Sequence, residues 1–130
     1  MDAGAGPPFR KDTGLRHFFA AARYSFQGFI RLLREAAFRQ QLGGLIIGLG
    51  LMAYAGAGFE KMLIFTGLMV VLFAFEAVNT AIEELVDHLS PEYSTFGKHA
   101  KDLGSLACAC LIGVNAAYLA YVLARKYFGW

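Results

Sequence analysis

The sequence has few of the residues that build soluble scaffolds and metal clusters. Its 130 residues include two cysteines, three prolines and one tryptophan, and only 17% are charged. Because residues two apart on a helix point about 160° away from each other, Cys108 and Cys110 cannot share a disulfide or a zinc site. A net charge of +2 is too small to favour a nucleic acid as partner. The first 40 residues lack the apolar core and cleavage site of a signal peptide, so we expect the N-terminus to be retained.

Apolar residues are what the sequence has in excess. They make up 57% of the chain, more than one soluble domain of this length requires. Residues 42–59 and 103–124 carry no charge and are long enough to cross a bilayer. Residues 62–75 are too few for a hydrocarbon layer of about 30 Å, so this helix must continue through Glu76 towards Glu83. The sequence predicts an all-α integral membrane protein with three transmembrane helices, at about 40–59, 62–88 and 100–124.

The region before these spans has a different character. Residues 1–13 are rich in glycine, proline and charge, and are predicted to form a mobile tail. Residues 14–33 have apolar side chains at helical spacing, with Arg16, Arg23 and Arg31 on an adjoining face. Such a helix either packs on a soluble core or lies among lipid headgroups, and the neighbouring spans favour the surface helix.

The distribution of basic residues predicts the orientation. Seven of the twelve lysines and arginines precede residue 40, and basic residues favour the cytoplasmic side. We therefore expect a cytoplasmic N-terminus, a cytoplasmic loop over residues 89–98 and an external turn at residues 60–61. A GxxxG spacing at Gly44 and Gly48 is a weak signal for close approach of another helix.

Four polar residues interrupt the apolar pattern on one side of the second predicted span. Glu76, Asn79, Glu83 and Asp87 fall within a stripe about 80° wide on a helix. Ionisable residues inside a membrane span are costly and by default mark function. Carboxylates this close repel one another unless a cation or proton lies among them. Their hard oxygen ligands at a cytoplasmic surface suggest magnesium, and magnesium there suggests a nucleotide phosphate. A non-enzyme alternative is a small ion-coupled membrane subunit in which this stripe forms a cation or proton path.

Several short motifs follow one another in a recognisable order. They are Tyr24-Ser25, Glu35-Ala-Ala-Phe38-Arg39-Gln40, Glu76-Ala-Val-Asn79-Thr-Ala-Ile-Glu83, Asp87, Glu92-Tyr93 and Ala-Lys101-Asp102-Leu-Gly-Ser105. In this combination nearly the whole chain after residue 13 resembles the prokaryotic diacylglycerol kinase family. The resemblance implies a homotrimer of three-span subunits, each one lipid kinase domain over residues 1–130, in the bacterial inner membrane.

The resemblance also implies a reaction. ATP with Mg²⁺ would phosphorylate 1,2-diacylglycerol to phosphatidate at the cytoplasmic membrane surface, a step of phospholipid biosynthesis. Undecaprenol kinase is the nearest enzyme alternative, because it shares the fold and the catalytic stripe but uses a polyprenol. No Walker-type phosphate loop is present, so side chains must hold the nucleotide.

Individual roles follow from the resemblance by position. Glu76 would be the general base and contact the lipid, with Asn79 and Lys101 supporting the reaction centre. Glu35 and Glu83 would hold the metal and contact ATP. Further expected ATP contacts are His17, Tyr24, Glu92, Tyr93, Ser94, Lys101 and Asp102. Further expected lipid contacts are Phe38, Arg39, Gln40 and Ser105.

The chain departs from the family pattern in the nucleotide region. Ser94 stands where enteric relatives carry histidine, and either Arg16 or His17 stands near an expected arginine contact. The segment from Tyr24 to Glu35 is one residue shorter than in those relatives. Glu35 precedes the first span and the acidic stripe lies near the end of the second, so the metal site joins distant parts of the chain. The resemblance implies that these parts can come from different subunits.

Overall fold

A computed structural model describes residues 13–129 of the chain. Within that range the protein is helical, with no strand, which confirms the predicted all-α class. The four helices are α1 (Leu15–Leu32), α2 (Ala36–Tyr54), α3 (Phe59–Leu89) and α4 (Thr95–Phe128). One compact unit ends at Arg31 and a second begins at Leu32. The predicted mobile tail, except for Thr13, lies outside the described residues.

Helix α1 matches the predicted surface helix within one residue at each end. Its aromatic side chains Phe18, Phe19 and Phe26 are all about two-thirds exposed, and the guanidinium carbon of Arg23 lies 5.5 Å from the centroid of the Tyr24 ring. Exposed aromatic rings beside arginines are typical of helices that lie in lipid headgroups. The interfacial position of α1 stays a prediction.

Helix α2 ends five residues before the end of the span predicted at 40–59, which corrects that boundary. The chain turns after Tyr54, where Gly56 has a φ of +71° and the Ala57 N–H donates to the Met52 carbonyl at 2.9 Å. Glycine adopts this left-handed conformation without steric cost. The turn carries no charge, so the run of uncharged residues concealed it.

The connections before and after α3 also differ from the prediction. Residues 60–61, predicted as an external turn, belong to the first turn of α3, where the Glu60 carboxylate suits the positive end of the helix dipole. The predicted loop over residues 89–98 is shorter, because α4 already begins at Thr95. The Ser94 hydroxyl accepts from the Gly97 N–H at 3.0 Å and thereby caps α4.

Helices α3 and α4 are the two in the described range that are long and apolar enough to cross a membrane. Their 31 and 34 residues correspond to about 46 and 51 Å of helix, well beyond a hydrocarbon layer of about 30 Å. Both helices can therefore cross the layer and extend past it. Helix α2, which contains Arg39, Gln40 and Gln41 near its start, is not one of these two, so a third span stays a prediction.

Helices α2, α3 and α4 pack around a small apolar core. Its buried members are Met52, Phe65, Met69, Leu72, Cys108 and Val122. Of the two glycines in the GxxxG pair, only Gly48 takes part in close helix packing. A Cβ on Gly48 would lie 2.5 Å from Cζ of Phe65, whereas a Cβ on Gly44 would meet nothing within 4 Å. Gly48 therefore lets the Phe65 ring pack closely against α2.

The outward faces of these three helices are also apolar. Large exposed side chains on them include Ile46, Ile47, Leu63, Val70, Val78, Leu106 and Val114. So much exposed apolar surface is unfavourable in water and is covered by lipid or by another protein. Together with the two long apolar helices, this surface is typical of a membrane protein.

Candidate active site

The polar stripe of α3 runs from the interior of the helix bundle to its surface. Glu76 and Asn79 are only 5% and 7% exposed, Glu83 is half-buried and Asp87 is exposed. The sequence predicted both the shared face and the burial of Glu76, and the structure confirms them. The stripe therefore connects a buried carboxylate with a polar helix end.

Glu76 lies where three helices meet. Nε2 of Gln41 on α2 donates to Oε2 of Glu76 at 2.8 Å, and the thiol of Cys108 on α4 lies beside the same carboxylate. One turn along α3, the Thr80 hydroxyl donates to the Glu76 backbone carbonyl at 2.9 Å. A carboxylate can be buried at tolerable cost only with such partners. Cys108 is thus a neighbour of Glu76.

Asn79 lies at a close contact between α3 and α4. Its Nδ2 donates to Oε1 of Glu83 at 3.1 Å, which orients the predicted metal ligand. Its Oδ1 is buried, has no hydrogen-bond partner in the described residues and packs against Gly104. A Cβ added at Gly104 would overlap that oxygen. Glycine at this position therefore makes room for the Asn79 amide.

A polar pocket of about 390 Å³ lies at the connection between α3 and α4. Its charged and polar walls are Asp87, Ser90, Glu92, Tyr93, Ser94, Lys98, Lys101 and Asp102. Five of the predicted ATP contacts therefore lie together in one pocket. Three are in the connection between α3 and α4, and two are near the start of α4, namely Glu92, Tyr93, Ser94, Lys101 and Asp102.

Two ion pairs line this pocket, one between α3 and α4 and one along α4. Nζ of Lys101 lies 2.5 Å from Oδ1 of Asp87, and Nζ of Lys98 lies 2.5 Å from Oδ2 of Asp102. The members of both pairs are between 42% and 66% exposed, so water screens their attraction. An incoming phosphate could replace either carboxylate as the partner of a lysine at little cost.

The predicted lipid contacts lie in different surroundings. Phe38 is 1% exposed and packs edge to face on Phe73 with ring centroids 5.1 Å apart, so it holds α2 against α3. Arg39 donates to the carbonyls of Leu33 and Arg34 at 3.0 and 2.8 Å, and so bridges the turn before α2. Gln40 lines an apolar groove.

The remaining predicted residues are spread over the chain. Ser105 is exposed on α4, and Glu35 is the half-buried N-cap residue of α2, with φ −79° and ψ 128°. His17 and Tyr24 are exposed on α1, which belongs to the other compact unit. Among residues 13–129, no three histidine, cysteine, aspartate or glutamate side chains form a group that could hold a metal ion.

Sequence reasoning missed three residues of this site, namely Gln41, Lys98 and Gly104. The available signal for Gln41 was an uncharged polar residue at the start of an apolar run, for which no role had been found. The available signal for Lys98 was its position one helical turn before Asp102. The role of Gly104 had no sequence signal, because close contact between two helices depends on their packing.

Comparison with known proteins identifies a family and several relatives of this chain. The family model for prokaryotic diacylglycerol kinase matches residues 23–123. A protein named diacylglycerol kinase from Sinorhizobium is 50% identical over 92% of this chain and 88% of its own length. Proteins of the same name from Pseudomonas aeruginosa and Escherichia coli K12 are 37% and 31% identical, over 77% and 90% of this chain and 82% and 96% of their own lengths.

These matches confirm the resemblance found in the sequence. They cover α2, α3 and nearly all of α4 and so include the Glu76 stripe and the polar pocket. They also confirm the prediction of an enzyme over that of a non-catalytic membrane subunit. The chain belongs to the prokaryotic diacylglycerol kinase family.

Proposed function

We propose that this protein transfers the γ-phosphoryl group of ATP to 1,2-diacylglycerol and produces phosphatidate at the cytoplasmic surface of a bacterial inner membrane. The observation that carries the proposal is a buried carboxylate, Glu76, on the same helix face as a polar pocket at the helix end. The name shared by the relatives supports diacylglycerol as the acceptor.

The general base of the reaction is Glu76. Its carboxylate removes the proton of the primary hydroxyl while the oxygen attacks the γ-phosphorus, and the P–O bond to ADP breaks. Phosphoryl transfer depends mainly on alignment and charge stabilisation, with little covalent help from the protein. The apolar surroundings of Glu76 keep water, a competing acceptor, away from the reacting atoms.

The nucleotide occupies the polar pocket between α3 and α4. Lys101 exchanges Asp87 for a phosphate oxygen, and Lys98 is near enough to act on the same charge. Glu83 lies two helical turns, or about 10 Å, from Glu76 along α3. An extended triphosphate can span this separation and bring its γ-phosphate towards the base.

Magnesium is the metal that suits the carboxylates of Glu35 and Glu83. Mg²⁺ prefers oxygen ligands, retains several waters and commonly takes only one or two protein carboxylates. Glu83, already oriented by Asn79, and Glu35 at the start of α2 would hold the ion. When bound, Mg²⁺ neutralises charge on the ATP phosphates.

The active form is a homotrimer of three-span subunits with cytoplasmic N-termini and shared sites. The apolar outward faces of α2, α3 and α4 supply surface for lipid and for contacts between subunits. The early arginines and lysines support the orientation. Mixing inactive Glu35→Ala and Glu76→Ala subunits should restore part of the activity, and no recovery in proven mixed trimers would contradict shared sites.

The direct test of the reaction uses the purified protein, γ-labelled ATP, Mg²⁺ and defined lipids in mixed micelles. We expect labelled phosphatidate from 1,2-diacylglycerol and little label in undecaprenol. Exclusive labelling of undecaprenol would replace the proposed substrate by the polyprenol. An absence of label in both lipids would reject lipid kinase activity altogether.

A further inference from the structure

The amide of Gln41 donates a hydrogen bond to the buried carboxylate of Glu76 from another helix. Gln41 is 9% exposed and Glu76 is 5% exposed, and Nε2 lies 2.8 Å from Oε2. An ionised carboxylate only accepts hydrogen bonds, so the amide must present its NH₂ group to it. Gln41 therefore binds one carboxylate oxygen and leaves the other, Oε1, to its remaining neighbours.

We propose that Gln41 is a positioning residue for the general base, an inference that rests on the proposed function. Its N–H donor holds Oε2 and fixes the rotation of the carboxylate, so that Oε1 is directed at the lipid hydroxyl. A glutamate side chain has three rotatable bonds, and a misplacement of about 1 Å can lower a rate about 100-fold. Fixing Glu76 in advance removes that loss.

The position of Gln41 is itself held by packing. Phe38 lies three residues earlier on the same face of α2 and is fully buried against Phe73 of α3. The ring contact therefore sets the distance between α2 and α3 at the level where the amide reaches Glu76. Phe38 acts on the reaction through packing rather than by contact with substrate.

The unsatisfied end of Gln41 argues against a purely structural amide. Its Oε1 is buried without a hydrogen-bond partner in the part of the chain that the structure describes. Burying an unpaired oxygen destabilises a protein, and an apolar side chain of the same size would avoid this cost. The cost is explained if the NH₂ group of the amide is needed by Glu76.

Gln41 also lines a groove of about 350 Å³ between α2, α3 and α4. The other lining residues include the apolar side chains of Phe65, Met69, Leu72 and Leu119. The side chain that binds Glu76 therefore also forms part of the wall of this groove.

The test replaces Gln41 by methionine, which has the same length but no donor. We expect Gln41→Met to lower kcat tenfold to a hundredfold, with the KM values for ATP and diacylglycerol within about twofold of wild type. Asn115→Leu is the matched control, since Asn115 is a buried amide of the same groove whose Nδ2 binds the Leu68 carbonyl at 3.2 Å and not Glu76. This control should keep the wild-type kcat.

A double substitution distinguishes positioning from a general effect on structure. In the Glu76→Gln background, Gln41→Met should leave the residual rate unchanged, because the group that Gln41 positions is already lost. A further drop by the same factor as in wild type, or a wild-type kcat in the single Gln41→Met variant, would overturn the inference. If Gln41→Met fails to fold, Gln41→Asn, which withdraws the same donor by one methylene, must show the same kcat loss.

Failure of the inference and failure of the proposed function give different results. A wild-type protein that phosphorylates no diacylglycerol contradicts the proposed function. A wild-type protein that phosphorylates it normally, with an equally active Gln41→Met variant, contradicts only the role of Gln41.

Discussion

Glu76 and Asp87 lie on one stripe of the same helix, yet their side chains are accommodated in different ways. Glu76 is buried and is bound by an amide from α2, beside a thiol from α4. Asp87 is exposed and pairs with Lys101 across the pocket. Desolvation makes the loss of a partner costly at the buried end, whereas water can replace the partner at the exposed end.

The difference indicates that the buried and the exposed end of the stripe on α3 have different roles. The buried end provides a rigid environment in which one carboxylate has a defined position, as a general base requires. The exposed end provides charges that can change partners, as binding and release of a nucleotide require. Substitutions along the stripe should therefore have effects that decrease from the interior to the surface.

The largest effect is expected for Glu76→Gln. The amide has nearly the same shape but cannot accept the hydroxyl proton, so kcat for diacylglycerol phosphorylation should fall by about 100-fold or more. Single-turnover transfer of labelled phosphate measures this. Glu84→Gln, an exposed residue of the same helix, is the control and should retain activity; equal losses in both variants would contradict the contrast.

Gly104→Ala should be the next most harmful change, because the added methyl group overlaps Oδ1 of Asn79. Either α4 moves or Asn79 changes rotamer and releases Glu83, so both stability and activity should fall, with a stability loss of about 1–3 kcal/mol. Thermal unfolding in detergent and the Mg²⁺ dependence of the rate are the measurements. Gly113→Ala lies on the same helix with nothing within 4 Å of the new methyl group and should instead be neutral or stabilising.

Gly48→Ala should mainly affect stability. Its methyl group meets the Phe65 ring in the core, and this ring must shift to make room, at a cost of about 1 kcal/mol or more. The midpoint of thermal unfolding should decrease while KM for ATP stays unchanged. Gly44→Ala, with open space at the new Cβ, is the control and should be neutral or stabilising; an equal decrease there would show that the Phe65 ring does not decide the effect.

The smallest effect on stability is expected for Asp87→Asn. It removes an ion pair whose members are 42% and 66% exposed, so unfolding should change by less than about 1 kcal/mol. KM for ATP is the more sensitive readout, because Lys101 loses its competing carboxylate and should bind phosphate more readily. A large loss of stability would mean that the exposed end of the stripe is as rigid as the buried end.

The sequence by itself determined the helical class, the shared face of Glu76, Asn79, Glu83 and Asp87, and the family. Helical periodicity depends only on spacing along the chain, and a short apolar stretch before Glu76 was enough to predict its burial. The bounds of α1 were also predictable, because apolar and basic residues alternate there with a clear helical period. Uncharged composition was less informative, since it did not distinguish the end of α2 from the turn at Gly56.

Only the tertiary structure decided which groups from different helices meet. That Gln41 binds Glu76, that Gly104 rather than Gly113 accommodates Asn79, and that Gly48 rather than Gly44 meets Phe65 all depend on how α2, α3 and α4 face one another. The spacing of residues along one helix does not show how a neighbouring helix is rotated about its own axis. The buried end of the stripe is defined by those contacts, and the position of the Glu76 carboxylate is therefore a product of packing.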